Sequence, residues 1–286
     1  MTTRATEVRT GKKDLLDIAA ISKAGVESLL SSAILLKDKL RRGVPHPLLA
    51  GKTLGLLFQK PSTRTRVSFE AGMNHLGGYA MVLPMADIQL SRGESVADTA
   101  RVLSRYLDAI VIRTYDHAIV EEWAREATMP VINGLTDLSH PCQALSDLLT
   151  IREKKGRLKG IKIAYIGDGN NVANSLIEAA AKMGMLITLG CPAGFQPEQH
   201  VVDRARVAAA DTGAVVEIGH DPNIAAKDAD VIYTDVWISM GREREHARRL
   251  KALAPYQVNS RLLNRAKPDA IVMHCLPAHR GEEISA

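Results

Sequence analysis

The sequence predicts an α/β protein built on parallel sheets, and three observations carry that prediction. Short apolar runs alternate with helical patterns over most of the chain, from Leu54 to Met273. The runs are continuous rather than alternating in polarity, as strands covered on both faces require. With 286 residues, 46% of them hydrophobic, the chain can bury one large α/β core or two ordinary ones.

The elements follow in order. Leu15 to Leu40 is periodic and reads as two helices or one broken helix, ended by Gly43-Val44-Pro45. Leu54-Gly55-Leu56-Leu57-Phe58 is a strand, and Arg64 to Leu76 the helix after it. Ala80-Met81-Val82-Leu83 precedes a helix over Ser95 to Tyr106. Ala109-Ile110-Val111-Ile112 precedes one over Ile119 to Glu126, and Pro130-Val131-Ile132 closes the first series. Pro141 to Lys155 is a helix with a charged end, near the middle of the chain, and a natural connector between two domains. The scheme then repeats. Ile161 to Ile166 is a strand, Val172 to Met183 a helix, and Leu186-Ile187-Thr188-Leu189, Ala214 to Ile218, Val231-Ile232-Tyr233 and Ala270 to Met273 are further strands. Such a set closes into one barrel or forms two open sheets.

Composition excludes several classes. Lys+Arg 37 against Asp+Glu 32 leaves +5, spread along the chain, which suits small anions better than nucleic acid. Aromatic residues at 4% do not make a stacking platform for single strands. Cys142, Cys191 and Cys275 are sparse, odd in number and outside any C-x-x-C pair, so neither a disulfide framework nor a structural zinc site is expected. No apolar run approaches the roughly 20 residues that span a bilayer. The N-terminal stretch MTTRATEVRTGKKD lacks an apolar signal core and reads as a frayed cytoplasmic tail rather than a transit peptide.

Five segments carry chemistry. Lys60-Pro61-Ser62-Thr63-Arg64-Thr65-Arg66 lies between a strand and a helix. Free N–H groups at a helix start, hydroxyls and two guanidiniums together favour a phosphate over a merely capped surface helix. His140-Pro141-Cys142-Gln143 opens the connector helix; its histidine and glutamine can face one point, although a satisfied core histidine is the plainer reading. Ile166-Gly167-Asp168-Gly169-Asn170-Asn171-Val172 begins like a dinucleotide fingerprint, but Val172 stands where the third glycine belongs. A tight turn presenting Asn170 and Asn171 at the carboxyl edge of a sheet remains. Thr234-Asp235-Val236-Trp237-Ile238-Ser239-Met240-Gly241 puts a carboxylate at a strand end, where it can receive an amine. In His274-Cys275-Leu276-Pro277-Ala278-His279-Arg280 a strand-end cysteine sits among two histidines and an arginine. That setting gives a residue more often buried as a small hydrophobe a candidate polar role.

Ser62-Thr63-Arg64-Thr65-Arg66, His140-Pro141-Cys142-Gln143, Asp235 to Gly241 and His274-Cys275-Leu276-Pro277 occur in the order that marks the aspartate/ornithine carbamoyltransferases. The sequence resembles the ornithine branch of that family from about Asp14 to its last residue. The resemblance implies two domains, 1–150 for carbamoyl phosphate and 151–286 for ornithine, each a parallel sheet flanked by helices, with the active site in the cleft between them. It implies transfer of a carbamoyl group from carbamoyl phosphate to the side-chain amine of ornithine, giving citrulline and phosphate. Residue by residue, it implies that Ser62, Thr63, Arg64 and Thr65 bind the phosphate. Arg113 would lie on the carbonyl and phosphate oxygens, and His140 and Gln143 would hold the carbamoyl group. Asn171, Asp235, Ser239 and Met240 would contact ornithine, with Cys275 and Leu276 beside the reacting amine. Gln89 matches a position that a neighbouring subunit lends to the site, which implies at least a homotrimer. Neither a metal nor a redox cofactor is implied, and the compartment is the cytoplasm.

Family chains continue past the His-Cys-Leu-Pro segment through an Ala-Glu-Asn-Arg segment, whose arginine touches carbamoyl phosphate, and a further helix. The present sequence ends at Ala286, so the resemblance implies that this arginine and an inter-domain clasp are missing from it. Three other readings stand beside it: a non-catalytic carbamoyl-phosphate or amino-acid binding paralogue or an incomplete chain, a transferase for another amine such as putrescine or aspartate, and a dinucleotide-dependent dehydrogenase. Asp235 and the Ser-Met-Gly loop weigh against the second, Val172 against the third.

Overall fold

The computed structural model describes residues 13–238 and 245–286. They form two compact units. One holds Leu36–Thr136 with the segment through Leu16; the other holds Asp17–Leu35 and Asp137–Ala286. The expectation of two open sheets rather than one barrel is met.

In the first unit four parallel strands stand in the order β2-β1-β3-β4: β1 (Thr53–Phe58), β2 (Tyr79–Pro84), β3 (Ala109–Arg113) and β4 (Val131–Leu135). Side chains alternate across a strand, and the two faces collect different partners. Leu57, Ile110 and Ile112 join Trp123 and Ala100, on the side of helices α3 (Val96–Leu103) and α4 (His117–Glu126). Leu54, Leu56 and Val111 join Met73 of helix α2 (Thr63–His75) on the other. The segment before α1 (Lys23–Arg41) is not helical: Leu15 forms an isolated bridge and residues 16–21 bend and turn. Leu15 bonds Val131 and Asn133 through the backbone, and the Asp14 carboxylate accepts the Val131 N–H at 2.8 Å. A single helix starts only where the Ser22 hydroxyl accepts the Gly25 N–H at 3.1 Å.

In the second unit five parallel strands stand in the order β7-β6-β5-β8-β9: β5 (Lys162–Ile166), β6 (Leu186–Gly190), β7 (Val215–Gly219), β8 (Val231–Thr234) and β9 (Ile271–His274). Ile163 and Tyr165 face a core shared with α5 (Pro141–Lys155) and α6 (Asn171–Lys182), and Ala164 and Ile166 face a smaller one with Ala225 and Leu262. No helix among the described residues is long and apolar enough to cross a membrane.

Strand order fixes where ligands can bind. In an open parallel sheet, the crevice lies outside the carboxyl ends of the two central strands from which the chain winds in opposite directions. In the first unit these are β1 and β3, and in the second β5 and β8.

Candidate active site

At the first crevice, Ser62 caps α2: its Oγ accepts the Thr65 N–H at 3.2 Å and donates to Thr65 Oγ1 at 3.0 Å. A β-region N-cap leaves the first-turn N–H groups facing outward, where an anion is welcome. Arg113 ends β3 opposite Phe58 of β1, buried, with Nη1 on Thr65 Oγ1 at 3.4 Å. Its carbonyl accepts the N–H groups of Gln59 and Lys60, which lead into the loop. Buried Lys60 lays its ammonium 4.2 Å from the Tyr115 ring centre. Thr63 and Arg64 are exposed at the helix start. The unit thus gathers Ser62, Thr65 and Arg113, with Thr63 and Arg64 beside them. Gln89 opens a 3-10 turn over Gln89–Arg92; its exposed side chain bonds none of these residues.

At the second crevice, Asp235 follows β8 and is 5% exposed. Its Oδ1 accepts the Cys275 thiol at 2.7 Å and the Val236 N–H at 2.8 Å; its Oδ2 accepts Asn170 Nδ2 at 2.7 Å. Asn170 caps α6 through Oδ1, which accepts the N–H groups of Val172 and Ala173 and the Tyr165 hydroxyl at 3.1 Å. Of the two asparagines, it is Asn170 that reaches Asp235, while Asn171 begins the helix, half-buried. His140 is the N-cap residue of α5, with Pro141 at its first turn, and its own N–H donates to Ser175 Oγ at 2.8 Å. Gln143 Nε2 donates to Asp147 Oδ1 at 2.9 Å. Ser239 and Met240 lie outside the described residues.

The strand-end cysteine is held from behind. His274 Nδ1 accepts the Leu276 N–H at 2.8 Å, so the ring proton sits on Nε2 and points at Glu283 Oε1, 3.0 Å away. Glu283 is fully buried; burial works against its charge, but His274 and the His279 N–H hold its carboxyl below the usual range. Leu276 takes φ 62°, a left-handed conformation uncommon for leucine, and is exposed. Asp235, His274 and Cys275 bring three potential metal-ligand atoms within 4.8 Å of one another, each already hydrogen-bonded.

Arg249, which sequence reasoning passed over, fastens two of these turns. It lies on α7 (His246–Leu253), 2% exposed, and its Nε donates to the Trp237 carbonyl at 2.6 Å. Its Nη2 pairs with Asp168, its Nη1 with Glu245 at 3.3 Å, and its guanidinium lies 5.0 Å from the Phe195 ring centre. Arg249→Ala removes the guanidinium that pairs with buried Asp168, and is expected to cost about 3–5 kcal/mol, read as a lower urea midpoint.

Models for the two halves of one enzyme family match this sequence: the carbamoyl-phosphate-binding domain of aspartate/ornithine carbamoyltransferase over residues 13–153, and the Asp/Orn-binding domain over residues 159–286. The chain is 55% identical over 273 residues to the anabolic ornithine carbamoyltransferase of Pyrococcus furiosus, covering 96% of this chain and 87% of that one. It is 56% identical over 273 residues to the ornithine carbamoyltransferase of Anoxybacillus flavithermus, covering 96% and 87%. The solved ornithine carbamoyltransferase of Pyrococcus furiosus superposes with a TM-score of 0.93 over 96% of this chain and 88% of that one, at 55% identity.

Proposed function

The chain belongs to the aspartate/ornithine carbamoyltransferase family, and from that premise we propose how its own residues carry the reaction. The reaction is transfer of the carbamoyl group of carbamoyl phosphate to the side-chain amine of L-ornithine, giving L-citrulline and phosphate, a step of arginine biosynthesis.

The leaving group is a phosphate dianion. Ser62, Thr63, Arg64 and Thr65 bind it at the start of α2. Arg113 spans the phosphate and the carbonyl oxygen, and with His140 and Thr65 it stabilises the oxyanion as the carbonyl becomes tetrahedral. His140 and Gln143 hold the carbamoyl group, and Leu276 lies with Cys275 beside the reacting amine. The attacking amine, with an ordinary pKa of ~10.4, arrives protonated and must lose a proton before its lone pair can attack. Asp235, with Cys275 against it, receives the ammonium, while Asn171, Ser239 and Met240 hold the amino-acid end. The ammonium first releases one proton to water; the N–C bond then forms, the C–O bond to phosphate breaks, and the departing phosphate takes the electron pair and the second amine proton, so no dedicated base is required. Gln89 reaches the site of a neighbouring copy, which makes the assembly a homotrimer or a multiple of one. The three free cysteines suit a reducing cytoplasm.

The observation that carries this reading is the buried Asp235 with Cys275 and Asn170 on its two oxygens at the carboxyl edge of β5 and β8. Incubation with carbamoyl phosphate and ornithine is expected to give citrulline and phosphate in equal amounts. No citrulline from the folded, assembled protein, or a larger kcat/KM with putrescine, would overturn it.

A further inference from the structure

Gln143 is a primary amide, and its oxygen and nitrogen ends have nearly the same shape; only a partner decides which way it points. Its partner is Asp147, one turn along α5 and 4% exposed. Once ionised, above about pH 7, its carboxylate accepts and cannot donate. Gln143 therefore turns its NH2 to Asp147 Oδ1, at 2.9 Å, and its carbonyl oxygen the other way. The second oxygen of Asp147 accepts the Tyr233 hydroxyl at 3.0 Å, which fixes the carboxylate as well. Tyr233 is itself held by stacking on Tyr165, with ring centres 5.6 Å apart at 15°. No cation pairs with Asp147 among the described residues; two neutral donors satisfy it. Burial pushes its carboxyl up to about 7, with Gln143 and Tyr233 drawing it down and Asp235 adding to the rise.

We propose that Asp147 is a positioning residue that fixes the amide of Gln143 with its oxygen outward, so that the site takes a ligand N–H at that point and rejects a group that has none. The inference rests on the reading of Gln143 as a carbamoyl-holding residue and adds the reason for its polarity. A carbamoyl group offers both an NH2 and a carbonyl oxygen, and an amide oxygen pairs only with the former. Carboxamide recognition thus comes from a residue that does not touch the ligand.

Two phosphonates test this: phosphonoacetamide, and 2-oxopropylphosphonate, in which a methyl group replaces the NH2. Inhibition constants against carbamoyl phosphate are measured for the whole protein and for Asp147→Asn at a pH above about 8, where Asp147 is ionised. The unmodified protein is expected to bind the amide roughly 10-fold more tightly than the ketone, the worth of one hydrogen bond to a buried acceptor. In Asp147→Asn the Tyr233 hydroxyl holds the new amide by its oxygen, and its NH2 faces Gln143, which must turn over. The preference is then expected to fall to about 2-fold or less, with ketone affinity within about 2-fold of the unmodified protein. Equal weakening of both probes would mark a merely structural role and overturn the proposal, as would an unchanged preference. Equal affinity of the two probes in the unmodified protein would overturn it without any variant. Gln143→Ala separates the two levels: if it keeps the preference, the reading of Gln143 fails, and if it alone loses the preference, only the role of Asp147 does.

Discussion

Asp235→Asn is expected to lower kcat/KM for ornithine by about 10³-fold, because it removes the buried charge that receives the ammonium. The substitution is isosteric, so loss of shape is not the cause. Asp235 is 5% exposed, and among the described residues its oxygens meet only neutral donors: the Cys275 thiol, the Val236 N–H and the Asn170 amide. Such a carboxylate has both oxygens hydrogen-bonded by groups that carry no charge, which leaves it to receive a cationic ligand. In the variant the new amide turns its oxygen to one set of donors and its NH2 to the other, so one contact becomes donor against donor. Affinity for carbamoyl phosphate, whose phosphate is assigned to residues on the other sheet, is expected to stay within about 3-fold, since sites that share no partners vary independently. Citrulline formation at varied ornithine concentration measures the loss, and a drop of less than 10-fold would remove Asp235 from the amine site.

Arg113→Lys is the second large effect. It keeps the charge and loses the planar fork. Arg113 closes β3 beside Phe58, its Nη1 on Thr65 and its backbone carbonyl on two N–H groups of the loop that follows β1. It is only 9% exposed, so its donors are aimed before substrate arrives. Preorganised donors at a developing oxyanion are worth about 10²–10³ in rate. The expected result is a kcat lower by about 10²-fold, a raised KM for carbamoyl phosphate and an unchanged KM for ornithine. Arg113→Ala should lose a further factor of about 10. A lysine variant with an unaltered kcat would show that this residue binds phosphate only.

Sheets and strand ends were readable because their signals are local. A buried parallel strand is a continuous apolar run, and Ser62-Thr63-Arg64-Thr65 and Asp235 stand directly after such runs. What could not be read depends on partners distant in sequence. Leu15 looks helical in its own window but is drawn into an extended bridge to Ile132 by a strand that comes more than a hundred residues later. Asn170 and Asn171 are equivalent as text; the N-cap geometry of α6 sends Asn170 to Asp235. Arg249 sits on a helix with His246, Arg248 and Lys251, and nothing local distinguishes it as the one that is buried. Asp147 is an ordinary helical acid until Tyr233 arrives from β8. The presence of a preference for Asn at a helix start was the one signal that could have singled out Asn170.

Because all strands of each sheet run parallel, every turn at their amino ends points away from the residues assigned to chemistry. Gly77 before β2, Thr128 before β4, Gly160 before β5 and Gly213 before β7 are exposed turns of this kind. Each is separated from the carboxyl edge by one strand length, roughly 15 Å. The molecule therefore has a working rim and an idle rim on each sheet. Fluorophores, affinity handles or new chain termini belong on the idle one, while a change of acceptor specificity is expected to come from the turns after β5, β8 and β9, which carry the residues proposed for ornithine.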